Sequence, residues 1–267
     1  MLGAMLPFAV SICILSLAQA GVVGLPAARE IAPLARLRSG WWALAPAASV
    51  VGFVFGVRAL SGLADGLTYL ALVAVPLLAA LALGWLMRGA RPFFALFALA
   101  LFALAWADRG GLAGEASGLL LDALSCAALG VIAVAVIPAR LVKLAIVAMA
   151  AVDTWLVVTN LLAAPNNTLN GLAPIAHLPQ LQRVLFGSAV MGYGDLFIAG
   201  LLGALLASQL RRQRRAVLIA AGLALALDLA FFAVNQLPAT VPIALTLVVL
   251  EFAAWRSRGR AAEPAKV

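Results

Sequence analysis

The stretch VMGYGDLFIAGLLGALLA, from Val190 to Ala207, places one aspartate in a run of residues that is otherwise suited to lipid. A transmembrane helix needs about 20 predominantly apolar residues, and this run has close to that length. Asp195 is the only charged residue in it. Because a carboxyl group inside a bilayer is costly, its presence there predicts a functional role for Asp195.

The whole chain has the composition of an integral membrane protein. Its 267 residues are 66% hydrophobic and 10% charged, and its mean hydropathy is +1.13. A soluble domain of this size cannot keep so much apolar surface from water. The 18 basic residues exceed the 10 acidic ones, but they stand in short connectors between apolar runs. We therefore expect them to interact with the lipid bilayer and to set the orientation of the protein, and we expect no nucleic-acid partner.

Apolar runs of helical length predict an all-α integral membrane protein with nine transmembrane helices in one membrane domain. Residues 1–138 form an N-terminal scaffold of five spans, and residues 139–267 form the half that carries the chemistry. The predicted spans are residues 4–25, 42–60, 66–87, 92–107, 117–138, 141–163, 185–208, 216–237 and 238–255.

The basic residues predict the direction of these spans. Three of them, namely Arg58, Arg109 and Arg183, lie on the side where even-numbered spans end. The other fifteen follow odd-numbered spans: Arg29, Arg36, Arg38, Arg88, Arg91, Arg140, Lys143, Arg211, Arg212, Arg214, Arg215, Arg256, Arg258, Arg260 and Lys266. Cytoplasmic connectors are enriched in Lys and Arg, so the N-terminus is predicted outside and the C-terminus in the cytoplasm. The Ala-, Leu- and Arg-rich composition is typical of a prokaryotic inner membrane protein.

Five acids fall inside the predicted spans: Asp122, Asp153, Asp195, Asp228 and Glu251. Asp153 lies ten residues from the predicted outer end of the sixth span, and Asp195 lies ten residues from that of the seventh. At 1.5 Å per residue both are about 15 Å deep, near the middle of a hydrocarbon core about 30 Å thick. Two such carboxyls on consecutive helices tend to share one proton, as an aspartyl hydrolase requires. Asp228 has almost the same predicted depth, which leaves three candidates for two roles, whereas Asp122 and Glu251 lie nearer the two faces.

The motif Gly192-Tyr193-Gly194-Asp195 resembles that of the GxGD intramembrane aspartyl proteases, the family of presenilin and signal peptide peptidase. That family has nine spans, with one catalytic aspartate in the sixth and the GxGD aspartate in the seventh. Asp153 and Asp195 occupy those places here, 42 residues apart. The resemblance implies a presenilin-like helix bundle, catalysis by Asp153 and Asp195, and transmembrane peptides or remnant signal peptides as substrates. The predicted N-terminus outside is that of signal peptide peptidase and is opposite to presenilin.

A third element of the family, Pro-Ala-Leu at the start of the ninth span, is matched here by Pro238-Ala239-Thr240. Thr240 replaces the leucine, and Val152 stands where the family usually has an aromatic residue, which bears on substrate preference. Glycines without Cβ atoms let another backbone approach closely, and a proline lacks an N–H and suits an unwound segment. We expect both motifs to bind the substrate backbone, through Gly192, Tyr193, Gly194, Pro238, Ala239 and Thr240.

Other classes of protein are compatible with parts of this pattern. The Gly-Tyr-Gly-Asp stretch is similar to a potassium-channel filter, but an apolar span continues after it from Leu196. Type 4 prepilin peptidases also use GxGD, but in them a lysine usually follows, whereas Leu196-Phe197-Ile198 follows here. A proton-coupled transporter that relays protons through Asp153, Asp195 and Asp228 remains an alternative, as does a scaffold without activity. We predict no metal site and no organic cofactor, since His177, the only histidine, has no Cys or acid near it in the sequence.

Overall fold

The computed structural model describes residues 7–44, 48, 52, 63–159, 178–234 and 236–261. This part of the chain is mostly helical. Its main helices are α1 (Phe8–Gly24), α2 (Leu63–Leu81), α3 (Ala95–Ala107), α4 (Leu112–Val136), α5 (Ala139–Val158), α6 (Tyr193–Leu206), α7 (Leu210–Asp228) and α8 (Val241–Ala261). A π-helical turn, Ala82–Leu86, extends α2, and a 3₁₀ turn, Leu229–Phe232, extends α7.

Four helices in the described part of the chain are long and apolar enough to cross a membrane. They span Gly66–Leu86, Leu112–Val136, Ala139–Val158 and Leu210–Phe232, and shorter apolar helices cover Phe8–Gly24, Pro92–Ala107 and Tyr193–Leu206. Large hydrophobic side chains on these helices are exposed, among them Leu77 and Leu218, which suggests association with a membrane. The predicted second span, 42–60, lies almost entirely outside the described residues, so the count of nine stays a prediction.

The start of the predicted seventh span is wrong. In place of a helix from residue 185, an antiparallel hairpin leads into α6, with strands β1 (Arg183–Phe186) and β2 (Ala189–Gly192). The two-residue turn between Phe186 and Ala189 contains Gly187 with φ +59°, the positive φ that tight hairpin turns require. Hydrophobicity alone does not distinguish this strand pair from the first turns of a helix. Asp195 is therefore the third residue of its helix, and the depth calculated from ten helical residues does not apply.

Two other predicted boundaries also differ from the structure. The eighth span, predicted from residue 216, begins at Leu210, because a helix accommodates the arginine-rich segment as well as the apolar one. The ninth, predicted to begin at 238, starts at Val241 and continues to Ala261. Pro238 to Thr240 thus precede the helix.

The helices α4 and α6 pack most closely, and glycines permit the approach. A Cβ atom on Gly200 would lie 2.3 Å from the carbonyl oxygen of Cys126, and one on Gly130 would lie 2.4 Å from the backbone of Gly200. Small residues at such crossings let helix backbones come into direct contact. On the next turn, a Cβ on Gly203 would lie 2.4 Å from the carbonyl oxygen of Val23 in α1. The helix that carries Asp195 is therefore fixed by backbone contact on two sides.

Polar side chains define one end of the bundle. Glu251 of α8 forms ion pairs with Lys143 near the start of α5, at 2.9 Å, and with Arg212 near the start of α7, at 3.1 Å. The side chain of Arg88 donates from Nε to Gln213 in α7 at 3.1 Å. We call the end of the bundle that contains Arg88, Lys143, Arg212, Gln213 and Glu251 the arginine end.

The hairpin lies near the starts of α1 and α4. The backbone N–H of Gly187 donates to Glu115 at 2.7 Å, and that of Ser188 donates to Ser11 at 3.2 Å. Helices α1 and α4 therefore begin beside the hairpin, whereas α5 and α7 begin at the arginine end. The relative directions of these four helices agree with those that the basic connectors predict for the first, fifth, sixth and eighth spans, and which end faces the cytoplasm stays a prediction.

Candidate active site around two aspartates

Asp153 lies in the last third of α5, where its carboxyl group meets the segment that precedes α8. The hydroxyl of Thr240 donates to Oδ2 of Asp153 at 2.7 Å, and the backbone N–H of Thr240 points to the same oxygen at 3.4 Å. Thr240 is only 2% exposed. Thr240 precedes the first residue of α8, so no helical carbonyl accepts its backbone N–H. That N–H is directed at the Asp153 side chain instead. The third sequence element thus contacts the first aspartate.

Asp195 lies in the first turn of α6. Its Oδ2 accepts a hydrogen bond from the backbone N–H of Gly192 at 3.0 Å. An acid at this position caps the start of a helix, which by itself accounts for an aspartate here. A Cβ atom on Gly192 would lie 2.9 Å from that oxygen. The carboxyl group of Asp195 folds back over Gly192, so a larger residue at position 192 would clash with it.

The two aspartates lie on helices that pack against each other. Helices α5, α6 and α8 pack against one another in pairs. The carboxyl groups of Asp153 and Asp195 interact electrostatically, and both side chains are partly buried. The structure thus brings together Asp153, Asp195 and Thr240, which the sequence placed in three separate segments.

The other acids lie elsewhere in the bundle. Asp228 accepts a hydrogen bond on Oδ1 from the hydroxyl of Ser16 at 3.1 Å, so it is attached to α1. Glu251 belongs to the ion pairs at the arginine end. Asp122 is 1% exposed, and neither of its carboxyl oxygens has a hydrogen-bond partner among the described residues.

Tyr193 and Gly194, between the first glycine and the aspartate, have different surroundings. The phenol of Tyr193 is hydrogen-bonded to the hydroxyl of Ser125 in α4 at 2.7 Å. Gly194 is exposed, and a Cβ atom built on it would have nothing within 4 Å. Tyr193 is therefore held by the scaffold, whereas Gly194 faces open space next to Asp195.

Sequence reasoning missed Gln19, which reaches this site from α1. The residue is 1% exposed, and its amide donates to the carbonyl oxygen of Asp195 at 3.1 Å and to that of Ala239 at 2.8 Å. The signal was a glutamine between Ala18 and Ala20 in an otherwise apolar run. A buried polar side chain needs hydrogen-bond partners, and such a residue in a span indicates a polar contact with another helix.

Within the described part of the chain, no three His, Cys, Asp or Glu side chains are grouped so that they could hold a metal ion. His177 lies outside the described residues. The site consists of two carboxyls, one hydroxyl, one buried amide and backbone groups, an arrangement capable of acid–base chemistry on water and a carbonyl group. Compared with models of known protein families, with curated proteins and with solved structures, the chain matches none.

Proposed function

We propose that this protein is an intramembrane aspartyl protease that hydrolyses peptide bonds within transmembrane segments, with Asp153 and Asp195 as the catalytic pair. The observation that carries the proposal is the placement of these two carboxyls on helices in contact, near enough to interact electrostatically, with Thr240 hydrogen-bonded to Asp153. Asp228, the third candidate by depth, is bonded to Ser16. It is therefore assigned no catalytic role.

The proposed reaction uses one proton shared between the two carboxyls. The ionised carboxylate takes a proton from water, and the protonated carboxyl donates to the oxygen of the scissile carbonyl. Water oxygen then bonds to the carbonyl carbon and gives a tetrahedral diol. When the C–N bond breaks, the nitrogen receives a proton from one carboxyl, and the diol returns a proton to the other. The pair ends with the single proton that it had at the start.

The hairpin and Gly194 supply the proposed binding site for the substrate backbone. A helical substrate has its carbonyls hydrogen-bonded internally, so it must be unwound, and an extended segment in lipid needs partners for its N–H and C=O groups. Among the described residues, β2 pairs with a strand on one edge only, and Val190 and Gly192 are exposed. A substrate strand added along β2 would reach Asp195 directly, because β2 ends at Gly192.

The proposed location is the inner membrane of a prokaryote, with the N-terminus outside and the C-terminus in the cytoplasm. The helix directions and the basic residues at one end of the bundle support this orientation, and the composition supports the choice of membrane. Under this orientation the hairpin lies toward the outer face, and the arginine end lies in the cytoplasm.

The deciding experiment compares the wild type with Asp195→Asn on a single-span peptide reporter in detergent. Asparagine keeps a carbonyl oxygen that can accept the N–H of Gly192, so the cap of α6 is retained while the acid is lost. We expect wild type to cut the reporter and Asp195→Asn to cut about 100- to 10,000-fold more slowly. Equal cutting by both proteins would refute the proposal. Absence of cutting together with proton-coupled solute uptake in liposomes that Asp195→Asn abolishes would favour a transporter.

A further inference from the structure

We propose that Gln19, contributed by the first helix, is a positioning residue that sets the placement of the two aspartates relative to each other. This inference rests on the proposed function and adds to it a residue from the scaffold half of the chain. The observation behind it is a continuous connection from Asp195 through Gln19 and one peptide group to Asp153.

The amide of Gln19 has two N–H bonds, and both are used. One donates to the carbonyl oxygen of Asp195 at 3.1 Å, and the other donates to the carbonyl oxygen of Ala239 at 2.8 Å. Both neighbours are carbonyl oxygens, which only accept, so the NH₂ group must face them. The planar NH₂ group holds its hydrogens at a fixed angle, and the two carbonyl oxygens are thereby held at a fixed separation.

The peptide group between Ala239 and Thr240 carries the connection further. Its carbonyl oxygen accepts from Gln19, and its N–H, on the opposite side of the peptide plane, points to Oδ2 of Asp153 at 3.4 Å. The hydroxyl of Thr240 donates to the same oxygen at 2.7 Å. A rotation of this peptide would therefore break the bond to Gln19 and displace the donors on Asp153 together.

Gln19 also links segments that lie far apart along the chain. It is separated by 176 residues from Asp195 and by 220 from Ala239. The segment before α8 has no regular secondary structure to fix it, since Val241 is the first residue of that helix. An amide buried to 1% exposure has no water to replace these bonds. Loss of the amide is thus expected to leave the third element free to shift relative to α6.

The test replaces Gln19 by methionine, which has a similar length and no hydrogen-bonding amide. Gln213 provides a matched control: it is also 1% exposed, and its amide donates to Val23, Pro26 and Gly203 near the arginine end. Both variants lose buried hydrogen bonds and should show a lower midpoint of thermal unfolding in detergent. We expect Gln19→Met to lower kcat on the peptide reporter by about 10- to 100-fold with KM nearly unchanged, because misplacement acts on the reacting groups. We expect Gln213→Met to retain kcat within about threefold.

Equal loss of kcat in both glutamine variants, or an unchanged kcat in Gln19→Met, would overturn the inference while leaving the catalytic pair in place. A second measurement is independent of cleavage. Cysteines replace Gly194 and Ala239, which keeps both aspartates and the backbone carbonyls that Gln19 contacts, in a background with Cys13→Ala and Cys126→Ala, and a short thiol cross-linker joins them. Cross-linking should be slower when Gln19→Met is added and unchanged when Gln213→Met is added. Equal rates in all three proteins would reject the role of Gln19, even if the wild type cuts no reporter.

Discussion

Thr240 donates its hydroxyl hydrogen to Oδ2 of Asp153 across 2.7 Å, which joins the segment before α8 to the aspartate of α5. Valine has almost the shape of threonine but no hydroxyl, and a hydrogen bond to a charged group contributes about 1.5–3 kcal/mol. We expect Thr240→Val to reduce kcat/KM on the peptide reporter by about tenfold or more. Thr240→Ser keeps the hydroxyl and should stay within about threefold of wild type. A larger loss in Thr240→Ser than in Thr240→Val would show that the methyl group, and not the hydroxyl, matters.

The assignment of the catalytic pair predicts a specific order among the aspartate variants. Asp153→Asn and Asp195→Asn should each lower the cleavage rate by about 100- to 10,000-fold, because an amide neither takes nor gives the proton. Asp228→Asn should keep substantial activity, since Asp228 is bonded to Ser16 in α1 and not to the pair. Initial rates for the three purified variants, with far-UV circular dichroism to verify folding, provide the measurement. An inactive Asp228→Asn beside an active Asp153→Asn would reverse the assignment.

The glycine contact between α4 and α6 predicts a stability effect at Gly200. A Cβ atom at this position would lie 2.3 Å from the carbonyl oxygen of Cys126, so the backbones must separate. Overpacking of this kind costs about 1–3 kcal/mol, and Gly200→Ala should lower the unfolding midpoint in detergent. Gly222 is the control, because a Cβ atom there has nothing within 4 Å and Gly222→Ala should not lower the midpoint. A similar decrease in both variants would mean that helix flexibility, and not the contact, decides stability.

The sequence predicted helices well where long apolar runs met connector residues. Helices α1, α4 and α5 agree with predicted spans to within several residues. A single apolar segment of that length can satisfy its own backbone hydrogen bonds in lipid only as a helix. The beginning of α6 was wrong, since a short apolar run such as Arg183 to Gly192 fits a strand pair as well as a helix. Gly187, which has a positive φ in the hairpin turn, was the residue that indicated a turn. A hydropathy scan does not detect turn residues.

Part of the candidate site could also be predicted from the sequence. Span order and motif position indicated Asp153 and Asp195, and only the packing of α5, α6 and α8 separates them from Asp228. The contact of Thr240 with Asp153 depends on a side-chain direction that no sequence spacing determines. Gln19 lies 176 residues from Asp195, so its role needed the three-dimensional arrangement.

A pair of carboxyls that shares one proton predicts a bell-shaped dependence of cleavage rate on pH. Activity requires one carboxyl protonated and the other ionised, so it should fall at low pH, where both are protonated, and at high pH, where both are ionised. The two limits belong to the pair and not to Asp153 or Asp195 separately. Rates measured on the reporter from acidic to alkaline pH, with folding verified at each pH, provide the test. A rate that rises steadily into strongly alkaline solution would contradict the shared proton.

The hairpin before α6 leads to a last prediction, on how the substrate is presented. If a substrate strand pairs with β2 beside Gly192, the cut segment must first leave its helix, and that step costs free energy. Glycine lowers helix stability by about 1 kcal/mol relative to alanine, and proline by about 3 kcal/mol. A reporter with Gly or Pro near mid-span should therefore be cut several times faster than an all-leucine reporter of equal length, as measured by initial rates at equal concentration in detergent.

Direction provides the control for this prediction. The strand β2 runs toward Asp195, and the basic connectors predict that β2 begins on the outer side of the membrane. A substrate strand antiparallel to β2 would have its N-terminus toward the cytoplasm, as in a remnant signal peptide. In proteoliposomes, a Gly-containing reporter with that orientation should be cut faster than the same span inserted in reverse. Equal rates for the glycine and all-leucine reporters, or a preference for the reversed span, would reject pairing along β2 while leaving the roles of Asp153 and Asp195 unchanged.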